Sequence, residues 1–149
     1  MTTARIKKKR VDEINPVLLT EPQLTFAEWE EFERGETLFN ERKFWEAHEA
    51  WENVWKERPE ESRIFFQGII QAAAGYHLLI VKHRLTGAIN NFNKALSKLA
   101  LFPNDFLEIN VHELRTAITE SKTIALRLGP EGLSKFPVTS VPFVGKSLE

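Results

Sequence analysis

At 149 residues, 42% of them hydrophobic, the chain is long enough for one domain with a real core and too short to expect two. It contains no cysteine, which excludes a disulfide framework, a thiolate nucleophile and Cys-based zinc or iron-sulfur sites. The formal net charge is -1, but positions 1–10 hold Arg5, Lys7, Lys8, Lys9 and Arg10 with no acid; the remainder carries 15 basic against 21 acidic residues, a net of -6, which argues against a nucleic-acid platform.

Residues 1–22 read as a basic flexible tail that closes at Pro22. No apolar run reaches the roughly 18 residues needed to span a bilayer without a polar break, and no signal-peptide core is present at the N-terminus. A cytoplasmic protein with no membrane contact is expected.

A single helical domain is expected over 23–130. Thr25, Phe26, Ala27 and Glu28 spell a capping box, so helix one starts there and fades near Glu41, with Phe26, Trp29, Phe32 or Glu33, Leu38 and Phe39 as its apolar stripe. Lys43 opens helix two, which stops before Pro59 because proline disfavours the helical conformation in Arg58. Helix three runs from Glu60 or Ser62 to about His83. Its apolar residues cover almost every direction around the axis, the pattern of a helix buried on most sides.

Helix four is expected from Thr86 or Gly87 to about Leu101, with Ala88, Phe92, Ala95, Leu96 and Leu99 facing inward. Asn110 reads as the N-cap of helix five, Val111 to Leu128, stopped by Gly129 and Pro130. Residues 131–149 read as an extended C-terminal tail lying across the bundle.

An internal echo supports this all-α bundle of about five helices. A shift of 41 residues lays Ala47, Trp51, Val54 and Trp55 on Ala88, Phe92, Ala95 and Leu96. Two helical hairpins repeat, followed by a C-terminal helix. Gly35, Ala47, Trp51 and Pro59 resemble the spacing of a tetratricopeptide repeat, although the period departs from that family's 34 residues, so the likeness is one of packing.

Chemistry concentrates in helix two. At about 100° per residue, Phe44, Trp45, Trp51 and Trp55 share a face with His48 and Glu52. Gln67 and Gln71 lie one turn apart on the otherwise apolar helix three. A buried amide left unpaired costs about 1–3 kcal/mol, so a polar cluster of His48, Glu52, Gln67 and Gln71 is expected. Three readings follow. The cluster can simply fix helix register through an ion pair and hydrogen bonds. It can orient a peptide or small polar ligand in an aromatic groove, with Trp55 and a candidate anion contact at Arg63 contributing, although a surface salt bridge from Arg63 to Glu60 or Glu57 is the favoured reading of that residue. No cofactor is needed on either reading, and oligomerisation is left open.

The third reading is metal-dependent. His48, Glu49 and Glu52 spell H-E-x-x-E, one letter from the zincin motif H-E-x-x-H. His48 and Glu52 would bind a divalent metal such as zinc, His77 would complete the set, and Glu49 would act as general base on the bound water. Two-metal carboxylate chemistry lacks its Glu-x-x-His pair, and no serine sits in a nucleophile elbow.

From about Glu33 to Leu101 the chain resembles the small helical family known as domain of unknown function 309: a phenylalanine-rich first hairpin, then His48, Glu49, Glu52 and Trp55, then Arg63, Gln67, Gly68, Gln71 and His77. These positions show no departure from that pattern. The resemblance implies an all-α bundle without an established activity, some of whose members carry a metal-dependent hydrolase label.

Overall fold

A capping box opens the first helix. In the computed structural model, which describes residues 19–55 and 63–145, the Thr25 hydroxyl accepts from the Glu28 amide at 3.1 Å and the Glu28 carboxylate accepts from the Thr25 amide at 2.9 Å. Helix α1 (Phe26–Asn40) buries Phe32, Gly35 and Phe39. Phe26, expected on the apolar stripe, is 80% exposed.

The far end of α1 closes in a Schellman arrangement: the Arg42 amide bonds Phe39 O and the Lys43 amide bonds Leu38 O. Arg42 has φ 68°, a left-handed backbone that glycine usually supplies. For a residue with a Cβ this costs on the order of 1 kcal/mol. The chain then enters α2 (Phe44–Trp55), and Asn53 donates to Glu31 across the hairpin at 2.9 Å.

Helix α3 (Arg63–Tyr76) runs on into a π-helical turn, His77–Val81, in which the Lys82 amide reaches back to His77 O at 3.2 Å. The expected start at Glu60 or Ser62 lies outside the described residues. Every residue from Ile64 to Ile70 is buried, as the near-continuous apolar pattern predicts. By length and composition alone, Arg63–Val81 would also suffice to cross a membrane, with mean hydropathy 1.6; yet 67% of that window is buried against the protein itself. The polar interruptions at Gln67, Gln71 and His77 do not lower the average enough to hide it.

Helix α4 (Leu85–Leu99) buries Ala88, Phe92, Ala95 and Leu99 against α3. The echo is physical. In the first hairpin Gly35 leaves room for the Trp51 indole, whose Nε1 donates to Phe32 O at 3.1 Å. In the second, Gly75 leaves room for the Phe92 ring, and a Cβ at Gly75 would lie 2.6 Å from that ring. Each hairpin packs by seating an aromatic ring on a glycine.

Two short strands, β1 (Asp105–Phe106) and β2 (Ile109–Asn110), pair antiparallel through a turn in which Leu107 and Glu108 have φ 49° and 63°. That backbone normally calls for Asn or Gly, which is why no strand is legible in the sequence there. Asn110 then caps α5 (Val111–Leu128), accepting from the Glu113 amide at 3.0 Å, and Gly129 at φ 73° ends it, as predicted. Tyr76 of α3 and Ser121 of α5 share a buried hydroxyl–hydroxyl bond of 2.8 Å.

The C-terminal segment crosses the bundle but is not simply extended. It forms 3-10 turns at Pro130–Lys135 and Val138–Ser140, and it buries Leu133, Phe136, Val141 and Val144. The basic tail of residues 1–18 lies outside the described residues.

Candidate functional site

The inward face of α2 is made of Phe44, Ala47, Ala50, Trp51, Val54 and Trp55. His48, Glu52 and Trp45 fall on its rim. The centre of the face lies between Ala47 and Trp51; at about 100° per residue His48 sits roughly a quarter-turn away, and Glu52 and Trp45 roughly a third of a turn or a little more. Trp45 is accordingly 46% exposed, while the side chains of His48 and Glu52 are 16% and 45% exposed.

On that rim the imidazole of His48 stacks on the Trp45 indole, centroids 4.6 Å apart and planes 9° from parallel. Its Nε2 is 3.5 Å from Glu52 Oε1, the one-turn pair expected of i and i+4. Its Nδ1 is buried and has no hydrogen-bond partner among the described residues. From α3's continuation His77 also packs on Trp45, at 5.3 Å and 42°. Burial above all, with Lys82 and His48 adding to it and Glu46 opposing, holds the His77 imidazole below its usual protonation range. Two imidazoles from different helical segments thus share one indole.

The glutamines do not join this group. Gln71 Oε1 accepts from Lys98 Nζ at 2.8 Å, so it faces α4. The same strip of α3 carries Gly68, which abuts Leu99 and Lys98, and Gly75, which abuts Phe92. Gln67 is 9% exposed, and no hydrogen bond ties its side chain to His48 or Glu52. The expected polar cluster is therefore replaced by a Trp–His–His–Glu group at the rim. Periodicity locates the amides on a strip but does not say which neighbour a helix buried on most sides presents that strip to.

Arg63 places its guanidinium 4.3 Å over the Trp55 ring. This is a cation–π contact at the entrance to α3; Glu57 and Glu60, its alternative partners, lie outside the described residues. Among the described residues no group of three or more His, Asp or Glu side chains is arranged to hold a metal ion. His48 and Glu52 form a donor pair that His77 does not complete, and Glu49, the base of the metal reading, is exposed. The residues present do not fit a three-donor centre in this arrangement.

These positions all lie inside one match. A domain of unknown function (DUF309) spans residues 32–91. No curated protein matches the chain. The DUF309 segment runs from Phe32 in α1 to Asn91 in α4, so it contains Trp51 with Gly35 and the whole Trp45–His48–His77 group and stops one residue short of Phe92, while α5 and the C-terminal segment lie beyond it.

Sequence reasoning placed Trp45 on the helix face but did not single it out. The signal was available in the echo, since Thr86 stands 41 residues on and such a position is not needed for packing. An open groove of about 430 Å³ on α5, lined by His112, Arg115, Thr116, Thr119 and Glu120, is a separate feature. Its Arg115 is committed to Leu99 O, Phe102 O and Asn104 Oδ1, which ties down the loop after α4.

Proposed function

We propose that this helical domain is a binding module that receives a peptide or small polar ligand at the Trp45 rim. The half-exposed indole of Trp45, carrying two imidazoles, is the observation that supports this reading. A large aromatic left in water next to hydrogen-bonding groups is the composition of a recognition surface rather than of a helix exterior. The π-helical turn that carries His77 adds support, since such turns concentrate at functional sites.

The surrounding charge suggests the ligand class. Glu46, Glu49 and Glu52 stand on α2 beside the indole, against Lys82 across from it. A cationic or donor-bearing group, such as an arginine or lysine side chain, gains from the indole face and from the carboxylates together. The neutral form of His77 offers an acceptor to the same group.

The test is an array of short peptides probed with the full-length protein, comparing arginine- and lysine-bearing sequences with acidic ones. Preferential capture of the basic peptides, reduced at least about tenfold by Trp45→Ala and by Glu52→Gln in variants with unchanged circular dichroism, is the expected result. Equal capture by Trp45→Ala, or no preference for basic peptides, contradicts the reading.

A further inference from the structure

Outside the DUF309 segment, the stretch Val141–Gly145 lies across the α1–α2 corner, held by two side chains whose hydrogen bonds all go to its main chain. Arg42 donates to Pro142 O at 3.0 Å and to Val141 O at 3.1 Å. The Asn40 carboxamide donates to Val144 O at 2.9 Å and accepts from the Val144 amide at 2.8 Å, as a neighbouring strand would. Val141 and Val144 are buried, 2% and 8% exposed, whereas Phe143 is 71% exposed, with the Arg42 guanidinium 4.5 Å from its ring centroid. Gly145 has φ 120°, and a Cβ there would lie 3.0 Å from Glu36 Oε2.

The corner is built for this contact. Arg42 occupies the left-handed closing position of α1, where glycine would be unstrained, and the side chain retained there is the one that grips two carbonyls. None of the four hydrogen bonds depends on a side chain of the bound segment, so the site reads backbone plus a spacing: an aliphatic residue, proline, an aromatic, an aliphatic residue, glycine.

We propose that the α1–α2 corner is a peptide-docking site, occupied in cis by Val141–Gly145, and that it accepts in trans an extended segment of a partner protein with the same pattern. The chain's own segment then acts as a competitor, lowering the apparent affinity for the partner by the fraction of time the corner is closed. The site shares no contact residue with the Trp45 rim.

Fluorescence anisotropy with a labelled peptide of residues 137–146 tests this on the full-length protein. Val144→Asp, which weakens the cis segment and leaves the corner intact, is expected to bind the peptide at least about tenfold more tightly than the unaltered chain. Phe143→Ala, whose ring is largely in water, should shift binding in the same direction and stands in if Val144→Asp does not fold. Adding Asn40→Asp, which keeps the acceptor for the amide and loses the donor to the carbonyl, should remove at least about tenfold of that affinity, and Arg42→Lys should do likewise. Equal binding by the unaltered chain and both strap variants, no binding to either strap variant, or binding indifferent to Asn40→Asp and Arg42→Lys overturns the proposal. A dimer by light scattering that exchanges its C-terminal segments and that excess peptide does not dissociate also overturns it, because the occupant would then be a second copy.

Discussion

The α1–α2 and α3–α4 hairpins pack by the same device and differ in what they present to solvent. Trp51 on Gly35 and Phe92 on Gly75 fill equivalent places, and Ala47 and Ala88 are both fully buried. Where the first hairpin carries Trp45, His48 and Glu52, the second carries Thr86, Ile89 and Asn93. Positions that agree between the hairpins are those a helical pair needs to close; the differing positions lie at or outside the edge of that contact, where the second hairpin packs Ile89 against the core and the first places an indole, an imidazole and a carboxylate.

The sharpest way to break the comparison is to remove the seated rings. Trp51→Ala and Phe92→Ala should each cost about 3–5 kcal/mol in urea unfolding, because each leaves a ring-sized void in a core with no solvent access. If one is cheap and the other costly, the hairpins are not energetic equivalents. Next in size, Gly35→Ala and Gly75→Ala should each cost about 1–3 kcal/mol, since the added methyl must displace an indole or a phenyl ring that has nowhere to go. A neutral result at either would show that the ring can tilt away.

Tyr76→Phe probes a link that neither hairpin makes alone. It leaves the buried Ser121 hydroxyl without its Tyr76 partner, so a cost of about 1–2 kcal/mol is expected from the same unfolding curves. Desolvation pushes the Tyr76 phenol well above its usual range, so the pair stays neutral and this cost should not vary near neutral pH. A pH-dependent cost would mean that another titrating group acts on the pair.

The smallest effect concerns the first hairpin's surface. The folded state holds His77 below its ordinary pKa of 6.5. Above that value both states are neutral and the group adds nothing. As the pH falls through it the unfolded chain takes up the proton first, so stability declines until the folded imidazole is protonated too. The melting temperature of His77→Gln should therefore fall less than that of the unaltered chain between about pH 7.5 and pH 5.5. Parallel declines would place the acid sensitivity elsewhere.

Much of the fold was legible because its signals are local. Thr25 with Glu28, and Asn110 with Gly129, mark helix ends by hydrogen bonds within a few residues, and both ends of α5 fall where those residues place them. The β1–β2 turn was not legible, since Leu107 and Glu108 adopt left-handed backbone without the residues that favour it, held by the burial of Phe106, Leu107 and Ile109. The π-helical turn at His77 likewise leaves no trace in a 3.6-residue pattern.

The site was half legible for a related reason. The His48–Glu52 pair follows from spacing within one helix. The partners of Gln71 and His77 depend on how α3 is rotated against α2 and α4, and a helix apolar on nearly all sides gives no sequence clue to that rotation. Counting every tryptophan as inward also misplaced Trp45, whose neighbours Ala47, Ala50 and Val54 form the true inner face.

If the rim is a binding surface, Trp45 and His48 are dispensable for folding, while Trp51, six residues from Trp45, is not. Urea unfolding of Trp45→Ala and His48→Ala beside Trp51→Ala tests it most directly. The stack and the one-turn pair together support a loss below about 1.5 kcal/mol for either rim variant. A loss of 3 kcal/mol or more at Trp45 or His48, about the size of the Trp51 effect, would make the rim part of the core and contradict its assignment as a binding surface.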